Sequence, residues 1–228
     1  MNTKLKILPV IGLNGITLRH GGHGKREDGV CAMEAVAWLA GESHSDRPEC
    51  VCPCIGAFMR AWNDRLPSDA DRDRLLKPLL PELIGTRASA NVTRARGDLA
   101  AKWFTTFVLP TTLTLVGLVA AAESIKTDPS IENIRAIRDD VRAAAIKRFG
   151  ATAFDKAYAY AYAYAYAYAS ASASASASAS ASASASASAS ASASAYLQKI
   201  DLAPLIAALE EGAVDLVRRM IALKDDAS

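Results

Sequence analysis

A marked excess of charge of either sign is missing from this 228-residue chain: 26 basic residues face 24 acidic ones, a formal net charge of +2. That balance excludes a strongly basic protein that coats nucleic acid, and equally an acidic disordered tail. Cysteine is scarce, with four in the chain, too few for a small disulfide-built scaffold. Histidine is scarcer still, at three. No stretch alternates apolar and polar β-branched residues, so strands are not expected. The start, Met1 to Leu13, is basic and then apolar, but Pro9 and Gly12 interrupt it and no small-residue cleavage pattern follows. It does not read as a secretory signal. A reducing, cytoplasmic setting is the expectation.

One apolar run tests that expectation. Trp103–Ala122 is 20 residues without a charge, long enough to span a bilayer. It also carries Pro110 near its centre and Gly117 beyond. Two buried helices meeting at Pro110 fit it equally well.

What the chain has in excess is alanine, tyrosine and serine in one place. Ala157–Tyr196 contains only these three residue types and holds all seven tyrosines. Setting it aside leaves 188 residues with an ordinary share of charge, enough for one domain. Alternation of period two would suit a strand, but half of the tract is Ala, the best helix former and a poor strand former. A helix is the preferred reading, about 60 Å long at 1.5 Å per residue, and it should project. Its roles range from a spacer or a self-associating surface to none. A repeat expanded by copying slippage, or an artificial sequence, would look the same.

Elsewhere the spacing predicts an all-α fold, a compact helical bundle. Residues 1–28 look irregular, 29–156 form a helical domain, 157–196 are an insertion, and 197–228 supply a closing helix packed on the domain. Asp28 is positioned to cap a helix from Gly29 that Gly41 ends. That helix is apolar almost all round, so it should be buried. Pro53 opens a second helix, with Ile55, Phe58, Met59, Trp62 and Leu66 on one face and Arg60, Asn63 and Asp64 opposite. Ser68 and Asp71 suggest a capping box. Further helices are expected over Ala88–Leu109 and Thr111–Ser124, after Asp128-Pro-Ser130, and from Pro204.

Four groups of residues could carry chemistry. Cys50, Cys52 and Cys54, with Cys31 and His44, offer the donors of a zinc site, although Cys-x-Cys spacing is tight for one ion. Inert buried thiols are the plain alternative. Glu34, alone in an apolar helix, would have a raised pKa if buried and could act as an acid or base. Pairing or capping is the plain alternative. His44-Ser45-Asp46 has the residue types of a hydrolytic triad, but real triads converge from distant positions, so turn chemistry is the better reading. Arg87, Arg94 and Arg96 have no acidic neighbour until Asp98. They are the local candidate for an anionic partner such as nucleic acid.

The run Asp28-Gly-Val-Cys-Ala-Met-Glu-Ala-Val-Ala-Trp-Leu-Ala-Gly-Glu42, with His44-Ser-Asp46, Cys50-Val-Cys-Pro53 and Phe58…Trp62-Asn-Asp64, resembles a group of uncharacterised bacterial and phage-borne proteins. That group also resembles this chain near Trp103–Leu118 and at Asp215-Leu-Val-Arg-Arg-Met-Ile. Its members often carry alanine-rich stretches before the closing helix. The resemblance implies a soluble helical protein without a membrane span, and it brings no activity. Cys54 stands where the group has an aliphatic residue. The resemblance therefore favours Cys31, His44, Cys50 and Cys52 as the metal quartet, should there be one.

Three functional expectations follow. The first is a non-catalytic accessory protein working through an unidentified protein partner or self-association. The second is a zinc protein with Glu34 as acid or base. The third is a nucleic-acid-binding module.

Overall fold

The computed structural model describes residues 13, 15–115, 117–149 and 203–225. The Ala/Tyr/Ser tract, expected to be a projecting helix, lies outside the described residues. The fold is all-α. Among the described residues the one β-type pairing is an isolated parallel bridge between Leu18 and Val30. By their contacts the described residues divide into two units. The first runs to Gly97 and resumes at Val214, and the second covers 98–149 and 203–213.

In the first unit, α1 (Ala32–Leu39) is nearly all buried, as a sequence apolar but for Glu34 requires. It starts later than Asp28 would have set it. Arg26–Asp28 forms a short 3₁₀ turn, and Gly29 leaves it at φ +131°. Val30 is then drawn into extended pairing, where its carbonyl accepts from Arg19 N–H at 2.9 Å. Cys31 becomes the N-cap. At the other end Gly41 takes φ +72°, and Glu42 N–H reaches back to Ala37 O at 2.9 Å, a left-handed helix stop.

Helix α2 (Pro53–Arg65) begins with Pro53 in its first turn. Its expected stripe of Ile55, Phe58, Met59, Trp62 and Leu66 is buried throughout. Each such side chain contributes roughly 1.5–3 kcal/mol by leaving water. Asn63 is a correction: placed on the outer face by spacing, it is fully buried. Its Oδ1 accepts from Ala32 N–H at 3.1 Å and its Nδ2 donates to Arg19 O at 2.9 Å, so it ties α2 to the start of α1.

Helix α3 (Asp69–Leu76) is capped as its sequence suggests, with Ser68 Oγ accepting from Asp71 N–H at 3.1 Å. Pro78 and Pro81 fall in the first turns of a 3₁₀ segment (Lys77–Leu79) and of α4 (Leu80–Leu83), where a missing N–H costs nothing. Helix α1 packs against α2 and α4.

Helix α5 (Ala90–Trp103) leads into the second unit, where a π-helical turn (Phe104–Val108) passes directly into α6 (Leu109–Leu115). The expected break at Pro110 is absent. Leu109 N–H donates to Phe104 O, so the ladder slips by one residue just before the residue that has no N–H. The widened turn accommodates the proline that would interrupt a regular helix. The chain turns later, at Gly117 (φ +76°), where Leu118 N–H donates to Leu113 O at 2.8 Å. Helices α7 (Val119–Thr127) and α8 (Ile131–Phe149) follow. They are separated by the Asp128–Ser130 stop and restart, in which Ser130 Oγ accepts from Asn133 N–H at 3.2 Å. Leu113, Ala122 and Ile125 form a small core that Ile134, Ile137 and Val141 partly cover. The uncharged run Trp103–Ala122 is thus shared among four segments. No helix among the described residues is long and apolar enough to cross a membrane.

The last helix, α9 (Ala203–Ala222), begins one residue before the expected Pro204. In the second unit its Gly212 lies against the stacked Trp103–Phe107 pair, whose centroids are 5.9 Å apart. In the first unit it buries Leu216, Val217 and Met220.

Candidate functional site

Chemistry-bearing side chains gather at the N-termini of α1 and α2, both in the first unit. Glu34 occupies the third position of α1, so its carboxylate can turn back to the uncapped N–H groups of the helix start. Its Oε2 accepts from Cys31 N–H at 2.7 Å. The loop before the helix folds over the same group. His23 N–H donates to Oε1 at 2.6 Å, and His23 Nδ1 lies 2.9 Å from Oε2. His44 Nε2 is 2.9 Å from His23 O and 3.7 Å from Glu34 Oε1.

The partners define the tautomers. A carboxylate only accepts, so His23 Nδ1 carries hydrogen. A carbonyl only accepts, so His44 Nε2 does too. His44 Nδ1 is buried with no hydrogen-bond partner. Gly29 makes room for the His23 ring: a Cβ there would lie 2.8 Å from His23 Nε2.

Glu34 is 2% exposed, yet its pKa is not raised. Burial pushes it up, but the N–H groups of His23 and Cys31 and the His23 ring more than offset that, and the carboxyl sits below its ordinary value. The expected raised pKa is therefore reversed, because burial came with donors.

The same carboxylate acts oppositely on Cys31. Burial and the adjacent Glu34 push that thiol up to about 12. Cys50 is pushed up to about 11 by burial and by Glu42, whose carboxylate also accepts from Cys50 N–H at 2.8 Å. Cys52 differs. It is the N-cap of α2, with Sγ 3.7 Å from Thr93 Oγ1. Burial raises its pKa, but Arg96, the N–H groups of Ile55 and Cys54, and Thr93 outweigh burial and leave it below the ordinary thiol value.

The residues expected at a zinc site thus have separate partners. Cys31 and His44 address Glu34, Cys50 addresses Glu42, and Cys52 addresses Thr93 and Arg96. Among the described residues no group of three or more His, Cys, Asp and Glu side chains is placed to hold a metal ion.

The arginine trio separates as well. Arg94 is exposed, while Arg87 donates from Nη1 to Val51 O at 3.4 Å. Arg96 is 1% exposed, a correction to its reading as a phosphate contact. It donates from Nε to Met220 O at 2.7 Å, from Nη1 to Thr86 O at 2.6 Å, and from Nη2 to Leu223 O. Backbone carbonyls brought together by folding claim all three nitrogens. His44-Ser45-Asp46 is turn chemistry: Ser45 Oγ accepts from Arg47 N–H at 3.0 Å, and Asp46 O accepts from Arg60 Nη1 at 2.8 Å.

His23 and Arg96 are the residues whose roles spacing missed. No periodic signal marks either one, since their partners are backbone atoms and a carboxylate elsewhere in the chain. The chain matches no family model, and comparison with curated proteins and with solved structures finds no significant match.

Proposed function

We propose that this chain is a non-catalytic, cytoplasmic helical protein of an accessory or mobile-element type that works by contact with another protein or with copies of itself. One observation carries the reading: the side chains able to do chemistry are engaged inside the fold. Glu34 binds the loop and the helix start, Cys31 and Cys50 are thiols far from ionisation at neutral pH, and Arg96 holds carbonyls. Meanwhile Val119, Ile131 and Ile206 are about half exposed, at 51%, 50% and 50%. Single exposed apolar side chains are ordinary on a protein surface, so these three serve as the positions from which a contact is probed.

Sedimentation velocity over a concentration series, and photo-crosslinking from positions 119, 131 and 206, test this reading. Concentration-dependent association, or a discrete crosslinked partner lost on Ile131→Asp, is expected. A chain that stays monomeric and crosslinks nothing would sink it.

The His23–Glu34 pair favours a second reading. A buried carboxylate holding imidazole Nδ1–H is the orienting half of a general-base site. Hydrolysis of ester or phosphoester substrates that vanishes in both His23→Gln and Glu34→Gln would establish it in place of the first. Zinc binding is decided by elemental analysis of anaerobically purified protein, and nucleic-acid binding by its dependence on salt.

A further inference from the structure

Between Leu18 and His23 the chain runs as an irregular segment over the first unit, and carboxylates hold most of it. Leu18 N–H donates to Asp73 Oδ1 at 2.9 Å, Arg19 Nη1 to Asp69 Oδ2 at 2.7 Å, and Gly21 N–H to Asp64 Oδ1 at 2.9 Å. His23 gives its N–H and its ring Nδ1–H to the two oxygens of Glu34. The acceptors come from three helices: Glu34 from α1, Asp64 from α2, Asp69 and Asp73 from α3. Asp71, between the last two, is engaged by Ser68 and Arg74 instead. The four are therefore set apart by geometry and not by charge alone.

The polarity of these bonds runs one way. The segment donates and the helices accept, through groups that lose their charge in acid. An ionised carboxylate is a strong acceptor, and a protonated one is weaker and carries a donor of its own. Docking thus favours the ionised forms. Release takes up protons, so the hold is complete at neutral pH and fades as pH falls. The remaining attachments are few. Arg19 N–H donates to Val30 O and Asn63 Nδ2 to Arg19 O, each at 2.9 Å, His44 Nε2 lies on His23 O, and Leu18 is fully buried. The helices underneath rely on other forces. Helix α1 packs against α2 and α4 with Val36, Ile55, Met59 and Leu80 buried, and none of these side chains titrates.

We propose that residues 18–23 form an acid-released strap, which detaches when proton uptake neutralises the four carboxylates while the helices beneath it stay folded. Asp69 faces Arg19 and Arg72, Asp73 faces Lys77, and Asp64 lies beside Asn63 in the field of Arg60. Those cations keep their charge in acid. Glu34 faces the Cys31 thiol, His23 and His44. Imidazoles gain charge before carboxylates lose it as pH falls, and a positive charge on His23 or His44 draws it toward an ionised Glu34. Release therefore waits for the carboxylates themselves. What it frees is the start of α1, where Glu34 gives up both His23 donors and keeps Cys31 N–H.

Three of the strap's bonds are made by backbone amides, so residue-resolved hydrogen exchange on the full chain reads it directly. Protection factors, which divide out the intrinsic pH dependence of exchange, are measured from pH 7 to pH 3. Leu18, Gly21 and His23 are compared with Met59 and Trp62 in α2. The strap amides should lose at least about tenfold in protection at a pH where α2 keeps its own, the factor expected from losing one hydrogen bond to a charged group. Asp64→Asn and Asp73→Asn keep an oxygen acceptor that cannot titrate. They should remove the pH dependence at Gly21 and Leu18 respectively and leave His23 to respond as in the parent. Loss of strap and α2 protection at one and the same pH overturns the proposal, because acid would then unfold the chain and not release a segment. So does a strap that is unprotected at pH 7, or one whose protection is unchanged at pH 3, which would put the hold in the Val30, Asn63 and Leu18 contacts.

Discussion

Arg96 Nε lies 2.7 Å from the backbone oxygen of Met220, 124 residues further along the chain. With the Thr86 and Leu223 carbonyls on its other nitrogens, one side chain closes the last turn of α9 and the coil after it onto the middle of α5 and the loop before that helix. Arg96→Met keeps much of the apolar stem but leaves three acceptors unpaired. A loss of about 3 kcal/mol or more is expected, since each unsatisfied buried group costs roughly 1–3 kcal/mol. Arg96→Lys should recover little, because one ammonium cannot reproduce the planar fork. Urea unfolding of the variants against the parent chain measures both. A Met variant as stable as the parent would show that the carbonyls find other donors.

Glu34 makes stability depend on pH in a defined direction. Its folded pKa lies below the ordinary value of 4.5, so its contribution is complete above that value and fades as pH falls through the folded pKa. Glu34→Gln should cost about 1–3 kcal/mol at pH 7, where the carboxylate accepts from two N–H groups and an imidazole. The gap between variant and parent should shrink steadily below pH 4.5. Denaturant midpoints at pH 7, 5, 4 and 3 test this. A gap that stays constant into acid would mean that the carboxylate charge contributes nothing.

Both residues show what could be read in advance and what could not. The α2 stripe, the Ser68–Asp71 cap and the Asp128–Ser130 restart each depend on neighbours within a few turns, and each appears as spacing foretold. Glu34 stood out because a lone charge in an apolar helix must find partners. Those partners could not be named, since His23 approaches through a glycine-rich loop that has no periodicity. Asn63 and Arg96 looked like surface residues because a polar side chain is buried only where folding delivers backbone groups to it. Pro110 misled for a related reason: a single π turn, invisible in composition, removed the break that proline ordinarily makes.

Gly29 couples the loop to that carboxylate site. At φ +131° it occupies backbone space that other residues rarely adopt, and a Cβ would stand 2.8 Å from His23 Nε2. Gly29→Ala should therefore destabilise by about 1–3 kcal/mol. It should also release the His23 ring from Glu34, shifting the His23 imidazole NMR resonances. Retention of both stability and those resonances would show that the loop relaxes without cost.

Gly212 offers the sharpest test in the second unit, because two effects of opposite sign meet there. In an exposed helix interior, Gly→Ala stabilises by about 1 kcal/mol through backbone entropy. Here the added Cβ would come 2.7 Å from Phe107 Cε1 and 3.2 Å from Trp103 Nε1, and overpacking of that kind costs about 1–3 kcal/mol. The clash should win, making Gly212→Ala destabilising in the parent chain. Phe107→Ala removes the nearest obstacle. In that background Gly212→Ala should become neutral or stabilising, so the two changes together should cost less than the sum of each alone. A double-mutant cycle of thermal or urea unfolding reads the coupling directly. Additive behaviour would mean that the helix face bearing Gly212 does not rest on Phe107.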